Sequence, residues 1–357
     1  MLVFLTTAPH RYTLGSLLER SRTPLAGRVI WLSYGEFLSW PRLPAGDYLF
    51  ADVDRLGPAE AEAVAARIAA LRAADPDCRM LNHPLHSLGR LALLQRLHAS
   101  GANDFQARRA DQPMTGLRYP VFVREAVEHK GAVGGLIDAE PALRRVLATL
   151  ADGPRPLSAY LVIEFVDVRN AEGYYEKYSV LRVGERLIAS DLSFNDRWIT
   201  KGDPDEAVVP GDLERDAAFQ RDNPHAGRLR EVFRLAGIDY GRVDYAFAAG
   251  RLQVFEINTN PMLPVPADAD GPYRASTERY AAAVAEAFAA LPRHGEPERW
   301  RAVAGAVGRP CIDGGSRARN GLRRVLRALR CLALEAPLLR AATALRHRTQ
   351  GRQASWR

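Results

Sequence analysis

Lysine is nearly absent from this chain. Of 357 residues only Lys130, Lys177 and Lys201 are lysine, against 46 arginines. Basic charge is therefore written as arginine by default, and a position that keeps a compact, mobile ammonium is a candidate for a site that a planar guanidinium serves poorly. Cysteine is also sparse. Cys78, Cys311 and Cys331 are odd in number and share no paired spacing, which argues against a disulfide framework or a zinc cluster and for free thiols in a reducing compartment. No run is long and apolar enough to span a membrane, and the opening MLVFLTTAPHRY lacks the charged lead and cleavage site of a signal peptide, so the expected location is the cytoplasm. No G-x-x-x-x-G-K-[ST] loop occurs, which excludes a P-loop mechanism. His83, His86, His98 and His129 lack metal-ligand spacing, and no internal repeat is visible.

The net charge of +7 is unevenly placed. Residues 293–357 carry 15 arginines and 4 acids, which leaves the first 292 residues at −4. A mildly acidic body with a basic tail is not the electrostatic footprint of a nucleic-acid-binding fold, and no nucleic-acid partner is expected. Within the tail, Leu322, Val325, Leu326, Leu329 and Leu332 form one stripe, with Arg323, Arg324, Arg327 and Arg330 outside it. Such a helix packs on its own domain or a second subunit, or lies on an anionic membrane or a partner's acidic surface. Nothing in the sequence sets the oligomeric state.

Hydrophobic patterning divides the rest. Over residues 1–85 the runs MLVFLTTA, RVIWLSY, DYLFADV and CRMLNH read as strands, with a helix over 58–74, giving an α/β layer with a parallel sheet. Ser87 is read as the cap of the next helix, which Gly101 ends. A second α/β unit over 86–160 holds a strand at 119–127, a Gly-rich loop at 129–137 and a helix at 140–150. Residues 161–291 complete the body: an apolar strand at 157–168 crosses into it, a hairpin at 174–192 turns at Gly184-Glu185, and helices follow at 225–237 and 273–291. Residues 292–357 read as linker and basic amphipathic tail.

The stretch RVDYAFAAGRLQVFEINTNP, residues 242–261, carries the chemistry. It alternates as a strand pair, and a three-residue loop at 249–251 would set Asp244 opposite Glu256 and Arg242 opposite Asn258. Two directly opposed carboxylates repel unless a cation lies between them. Asp244, Glu256 and Asn258 are hard oxygen donors of the kind Mg²⁺ takes, with Glu256 placed to bridge two ions that would neutralise a nucleotide's phosphates. The alternative is a solvated polar face on an edge hairpin.

That run resembles the metal-binding hairpin of the ATP-grasp superfamily, which includes carboxylate–amine ligases such as D-alanine–D-alanine ligase and the RimK-type ligases. The resemblance covers roughly residues 1–290. It implies an α/β (α+β) ATP-grasp fold with an N-terminal α/β domain before the ATP-grasp unit proper, and a nucleotide cleft between two α+β sub-domains. It also implies ATP as nucleotide, two Mg²⁺ with Mn²⁺ as the alternative ion, and small-molecule or peptide carboxylate and amine substrates. By the same resemblance Arg90 and Arg124 stand where the family binds phosphates with lysine. Lys130, Gly131, Gly134 and Gly135 form the flap over the phosphates. Glu164, Phe165 and Val166 line the adenine slot, and Lys177 and Lys201 reach towards the phosphates. Arg242 would stabilise a tetrahedral intermediate, and Asn260 either touches substrate or serves the turn before Pro261. Three functions stay open: an ADP-forming ligase acting through an acyl phosphate, a kinase built on the same cradle, and an ATP-binding module without turnover.

Overall fold

Short β-branched and aromatic runs open the chain and assemble into a parallel sheet. The computed structural model describes residues 1–14, 25, 28–128, 131–198, 211–264, 273–292 and 299–305. Its first elements are β1 (Leu2–Thr6), β2 (Val29–Ser33), α1 (Tyr34–Ser39), β3 (Arg42–Pro44), β4 (Asp47–Phe50), α2 (Pro58–Ala74) and β5 (Met80–Leu81). The sheet order is β2-β1-β4-β5, and every pair is parallel, as expected. β1 is buried along its whole length, as a strand covered on both faces must be. The sequence reading passed over α1, whose signal is a capping box. Ser33 Oγ accepts the Glu36 N–H at 3.2 Å and Glu36 Oε2 accepts the Ser33 N–H at 3.0 Å.

The second layer contains α3 (Arg90–Ala99), β6 (Ala107–Arg109), β7 (Val121–Glu125), β8 (Ala132–Ile137), α4 (Glu140–Ala151) and β9 (Tyr160–Glu164). Its antiparallel sheet runs β6-β9-β7-β8. Two expectations are corrected. Ser87 does not cap α3, because its Oγ donates to Gly237 O at 3.0 Å while Gly89 takes the N-cap. The described part of the expected Gly-rich loop is an edge strand, since Ala132 and Val133 pair with Arg124 and Val123; the ladder slips before Ile137 meets Val121.

The third layer holds β10 (Tyr175–Val183), β11 (Arg186–Asn195), α5 (Asp212–Asp222), α6 (Ala226–Ala236), β12 (Tyr240–Ala248) and β13 (Arg251–Asn258), followed by α7 (Arg274–Ala290) and β14 (Trp300–Ala302). The β10–β11 turn falls at Gly184-Glu185, as read. This antiparallel sheet runs β11-β10-β12-β13. One face packs on α3, α5 and α6 through Leu93, Phe219, Leu229 and Phe233. At one end of the other face, Leu181, Val183 and Tyr240 meet Phe288 of α7 and Leu2 and Phe4 of the first sheet.

Within the stretch read as linker, β14 pairs antiparallel with β3, and the buried Arg67 donates to the carbonyls of Phe37, Trp40, Val303 and Ala304. The remainder of the basic tail lies outside the described residues. Among the described residues no helix is long and apolar enough to cross a membrane.

Side-chain amides bind the layers together. Asn82 Oδ1 accepts the N–H groups of Asp239 and Tyr240 at 2.7 and 2.9 Å. Along the outer edge of β13, Asn103 exchanges two bonds with Val254, and Gln253 exchanges two with Asp104. The two bonds to Val254 occupy a backbone donor and acceptor that an edge strand otherwise leaves open.

Gly237 ends α6 at φ 64°, and a Cβ there would stand 2.2 Å from His86 O. Gly237→Ala is expected to lower the unfolding free energy by at least about 1 kcal/mol, from the left-handed conformation alone, as read from a urea midpoint. Cys78 is buried and donates to Gly46 O, and burial pushes its thiol up to about 12. At pH 8 its thiolate fraction is roughly 10⁻⁴, against about a quarter for an ordinary thiol. Peptide mapping after brief iodoacetamide treatment of the folded protein should leave Cys78 unmodified, with labelling appearing once urea unfolds the chain.

Candidate functional site

The β12–β13 hairpin turns on two residues. Ala249 and Gly250 both have positive φ, 48° and 76°, and Ala248 pairs with Arg251. The expected loop at 249–251 is thus one residue too long. Asp244 nonetheless faces Glu256, because the ladder slips between Tyr245↔Val254 and Asp244↔Glu256 and leaves Phe255 as an extra residue. This bulge changes which way β13 faces. Val254 and Ile257 both enter the core shared with α3 and α6, while Phe255 packs on the cluster of Leu94, Phe105 and Ile163.

A second slip lies two strands away. Val180 pairs with Ala189 and Ser179 with Asp191, leaving Ser190 extra on β11. The two bulges produce one cross-strand row, Asp191–Ser179–Asp244–Glu256, whose members share a face because directly paired residues do. The neighbouring row on that face contains Arg242 opposite Asn258, as expected. Lys177 lies two residues from Ser179 and opposite Ser193, on the same face. Ser179 Oγ, buried mid-row, has no hydrogen-bond partner.

Two arginines reach this row from the second layer. Arg90 at the start of α3 and Arg124 on β7 both place Nη2 on Glu256 Oε2, at 2.7 and 2.9 Å. The three side chains are 6%, 12% and 13% exposed, so the cluster is nearly out of water. Burial lowers the pKa of Arg124, against the pull of Glu256. Arg90 Nη1 also donates to the carbonyls of Glu125, Ala126 and Glu128, which ties down the chain leading to β8. Arg242 Nε lies 3.0 Å from Asp244 Oδ1, and that carboxylate raises the arginine's pKa. Arg90, Arg124, Arg242 and Lys177 outnumber Asp191, Asp244 and Glu256 by one along this face, which favours an anionic ligand.

Asp244, Glu256 and Asn258 present oxygen donors only. Their chemistry fits a hard divalent cation carrying water and phosphate oxygens in its remaining positions. The arginines engage one oxygen of each carboxylate, and Asn258 Oδ1 accepts the Asn260 N–H at 2.9 Å. Asn260 is tied to the first layer, its Oδ1 accepting from Thr13 Oγ1 at 2.7 Å.

Glu164 is 1% exposed at the end of β9. Its carboxylate accepts the backbone N–H groups of Gln106 and Arg118 at 3.1 and 2.7 Å and two further bonds from the Arg118 side chain. That use fixes the strand end. Phe165 follows, its N–H bonded to Pro120 O, and its ring meets Trp198 at 5.9 Å. Trp198 also meets Phe122 at 5.1 Å, and Phe122 and Val166 both pack against the cluster of Leu94, Phe105 and Ile163. Trp198, Arg118, Ser179 and Asp191 were not singled out from the sequence, and no local spacing marks them. Gly131 and Gly134 hold φ values of 87° and 78°, and open space surrounds Gly134 and Gly135. Lys130 and Lys201 lie outside the described residues.

No protein-family model and no curated protein matches the chain. Solved structures that align with it include an ATP-grasp protein, a ligase and a synthetase. A RimK-domain ATP-grasp protein from Sphaerobacter thermophilus is 15% identical over 80% of this chain and 98% of its own, with a TM-score of 0.43. D-alanine–D-alanine ligase from Bacillus anthracis is 11% identical over 80% and 97%, also at 0.43. The D-cycloserine synthetase DcsG is 20% identical over 80% and 98%, again at 0.43.

Replacing Glu164 by Ala strands two buried N–H groups and a guanidinium. Its expected cost is about 3 kcal/mol in unfolding free energy, measured by urea titration.

Proposed function

We propose that this chain is an ATP- and magnesium-dependent ligase joining a carboxylate to an amine, with the cradle for the nucleotide's phosphates lying between the second and third layers. One observation carries the reading: Arg90 and Arg124 from one layer converge on the Asp244–Glu256 pair of the other. A triphosphate bound there would meet guanidiniums on one side and metal-ligating oxygens on the other. Guanidinium forks suit phosphate oxygens as well as carboxylates, so Glu256 holds in its absence the groups that phosphate would share.

In this reading a substrate carboxylate attacks the γ-phosphorus and ADP leaves, giving an acyl phosphate. An amine then attacks the acyl carbon, loses a proton and expels phosphate from a tetrahedral intermediate. Magnesium held by Asp244, Glu256 and Asn258 would supply charge neutralisation at the phosphates. Arg90 and Arg124 bind and orient the phosphates, and Arg242 faces the charge of the tetrahedral oxygen. Lys177 extends the cationic lining along β10, the glycines of β8 belong to the cover, and Lys130 and Lys201 would add positive charge for the phosphates. Phe165, Val166 and Trp198 offer an apolar slot for the base, with Glu164 holding that strand end in place. The division at residues 85, 160 and 291 then separates the N-terminal domain, the two halves of the cleft and the tail.

The test is hydroxylamine trapping with Mg-ATP and a pool of small carboxylic acids, read by mass spectrometry. An ATP-dependent hydroxamate is expected, reduced by about 10²-fold or more in Asp244→Asn, as loss of an electrostatic contact in the transition state predicts. A phosphorylated alcohol in place of a hydroxamate would assign a kinase, and nucleotide binding without turnover would assign a binding module.

A further inference from the structure

The chain leaves the first sheet in opposite directions on either side of one gap. β1 leads to β2 on one flank and β4 leads to β5 on the other, while β1 and β4 are neighbours. In an open parallel sheet such a switch point places a crevice beyond the carboxyl ends of the two strands. Thr7 and His10 follow β1 there, and Asp52 follows β4. The ligation steps leave all three without a role.

Asp52 is 2% exposed and holds φ 58°, a left-handed conformation that persists in a residue with a Cβ only where surrounding contacts impose it. Those contacts meet at one oxygen. Asp52 Oδ2 accepts the Thr7 N–H at 3.1 Å and the Thr7 hydroxyl at 2.8 Å, and His10 Nδ1 lies 3.2 Å away. The same Nδ1 is 2.8 Å from Thr7 Oγ1. Because the Thr7 proton is directed at the carboxylate, Nδ1 faces two acceptors and carries its own hydrogen. The lone pair of the neutral ring is then on Nε2. Among the described residues that nitrogen has no hydrogen-bond partner, and 25% of the side chain is exposed.

This ring stands beside the hairpin. His10 O accepts from Asn260 Nδ2 at 3.4 Å, and the Asn260 N–H is on Asn258, the residue opposite Arg242. Tyr240 lies two residues before Arg242 on the same face and packs on Phe4 of β1. Burial, then Tyr280 and Asp52, push its phenol up, while Arg242 opposes them, so Asp52 and Arg242 flank one junction. The wholly buried Tyr240 hydroxyl there has no hydrogen-bond partner. Arg55 joins Asp52, at 3.5 Å, to Glu128, at 3.4 Å, whose carbonyl accepts from Arg90 and Arg124.

We propose that His10 is the general base of the ligation, its Nε2 taking the proton that the attacking amine loses. The assignment rests on the ligase reading and adds the proton acceptor that reading lacks. The lone pair of a neutral amine forms the bond to the acyl carbon, and the carbonyl pair moves onto oxygen beside Arg242. His10 Nε2 removes one N–H proton, leaving an imidazolium whose Nδ1–H stays on Asp52. The oxygen pair then returns, the C–O bond to phosphate breaks and inorganic phosphate leaves. The exposed edge of the ring passes its proton to water.

The experiment gives the full chain Mg-ATP and a pool of small carboxylic acids, with hydroxylamine in one reaction and a pool of small primary amines in another, read by mass spectrometry. Hydroxylamine traps an acyl phosphate with little help from a base, so hydroxamate reports the first step and amide reports both. In His10→Gln the ratio of amide to hydroxamate should fall about 10²-fold or more, the scale of a general base. Asp52→Asn, which keeps the side chain's shape, should lower the same ratio, with thermal melts showing both variants folded. A ratio in folded His10→Gln equal to that of the wild type, whether both products persist or both decline, overturns the assignment. So does a wild type that yields hydroxamate and no amide. Absence of both products in the wild type sinks the ligase reading itself, and the base with it.

Discussion

Glu256 is a carboxylate almost removed from water, and its compensation organises the molecule around it. A buried charge of this kind is tolerated only with partners at close range. Its partners come from two separate elements, the first residue of α3 and the last but one of β7. The second and third layers are therefore held in a defined relation at this point. The amide bonds of Asn103 and Gln253 along β13 act in the same direction, since they attach the chain after α3 to the strand that carries Glu256. Any anion that enters between the layers here competes for groups that already have partners.

The two bulges set which acids share the sheet face at this junction. Without the slip at Phe255, Glu256 would not face Asp244, given the two-residue turn at Ala249-Gly250. Without the slip at Ser190, Asp191 would not join the same row. Each bulge thus turns one acid onto a shared face while the apolar neighbours Val180, Val243, Val254 and Ile257 remain in the core behind it. The row runs from the arginine cluster at Glu256 to Asp191.

The preference for arginine over lysine has a structural counterpart. Arg90 uses one nitrogen on Glu256 and another on three carbonyls, a division of labour that an ammonium on a single stem performs less well. Arg67 likewise gathers four carbonyls from α1, the residue after it and the strand near 303, closing the first layer over residues that composition alone places in a linker. Arginine here is a many-handed donor to backbone as much as a charge.

Much of the fold was legible because it is periodic. The strands of the first sheet, the helix at 58–74, the turn at Gly184-Glu185 and the end of α6 at Gly237 all follow from local pattern and turn chemistry. The acids of the hairpin were legible too, since a carboxylate pair on facing strands is costly unless used. Other features depended on sequence-distant partners. The carboxylate of Glu164 is claimed by Arg118, 46 residues away, and Asn103 bonds to Val254 across 151 residues. Asp191 joins the row through a register shift that no nearby residue announces. The sequence by itself determined which segments are strands or helices and which hairpin holds the oxygens, because those choices rest on neighbours in the chain. Only the tertiary structure decided which arginines meet Glu256 and where the bulges fall, because each of these depends on groups that folding alone makes adjacent.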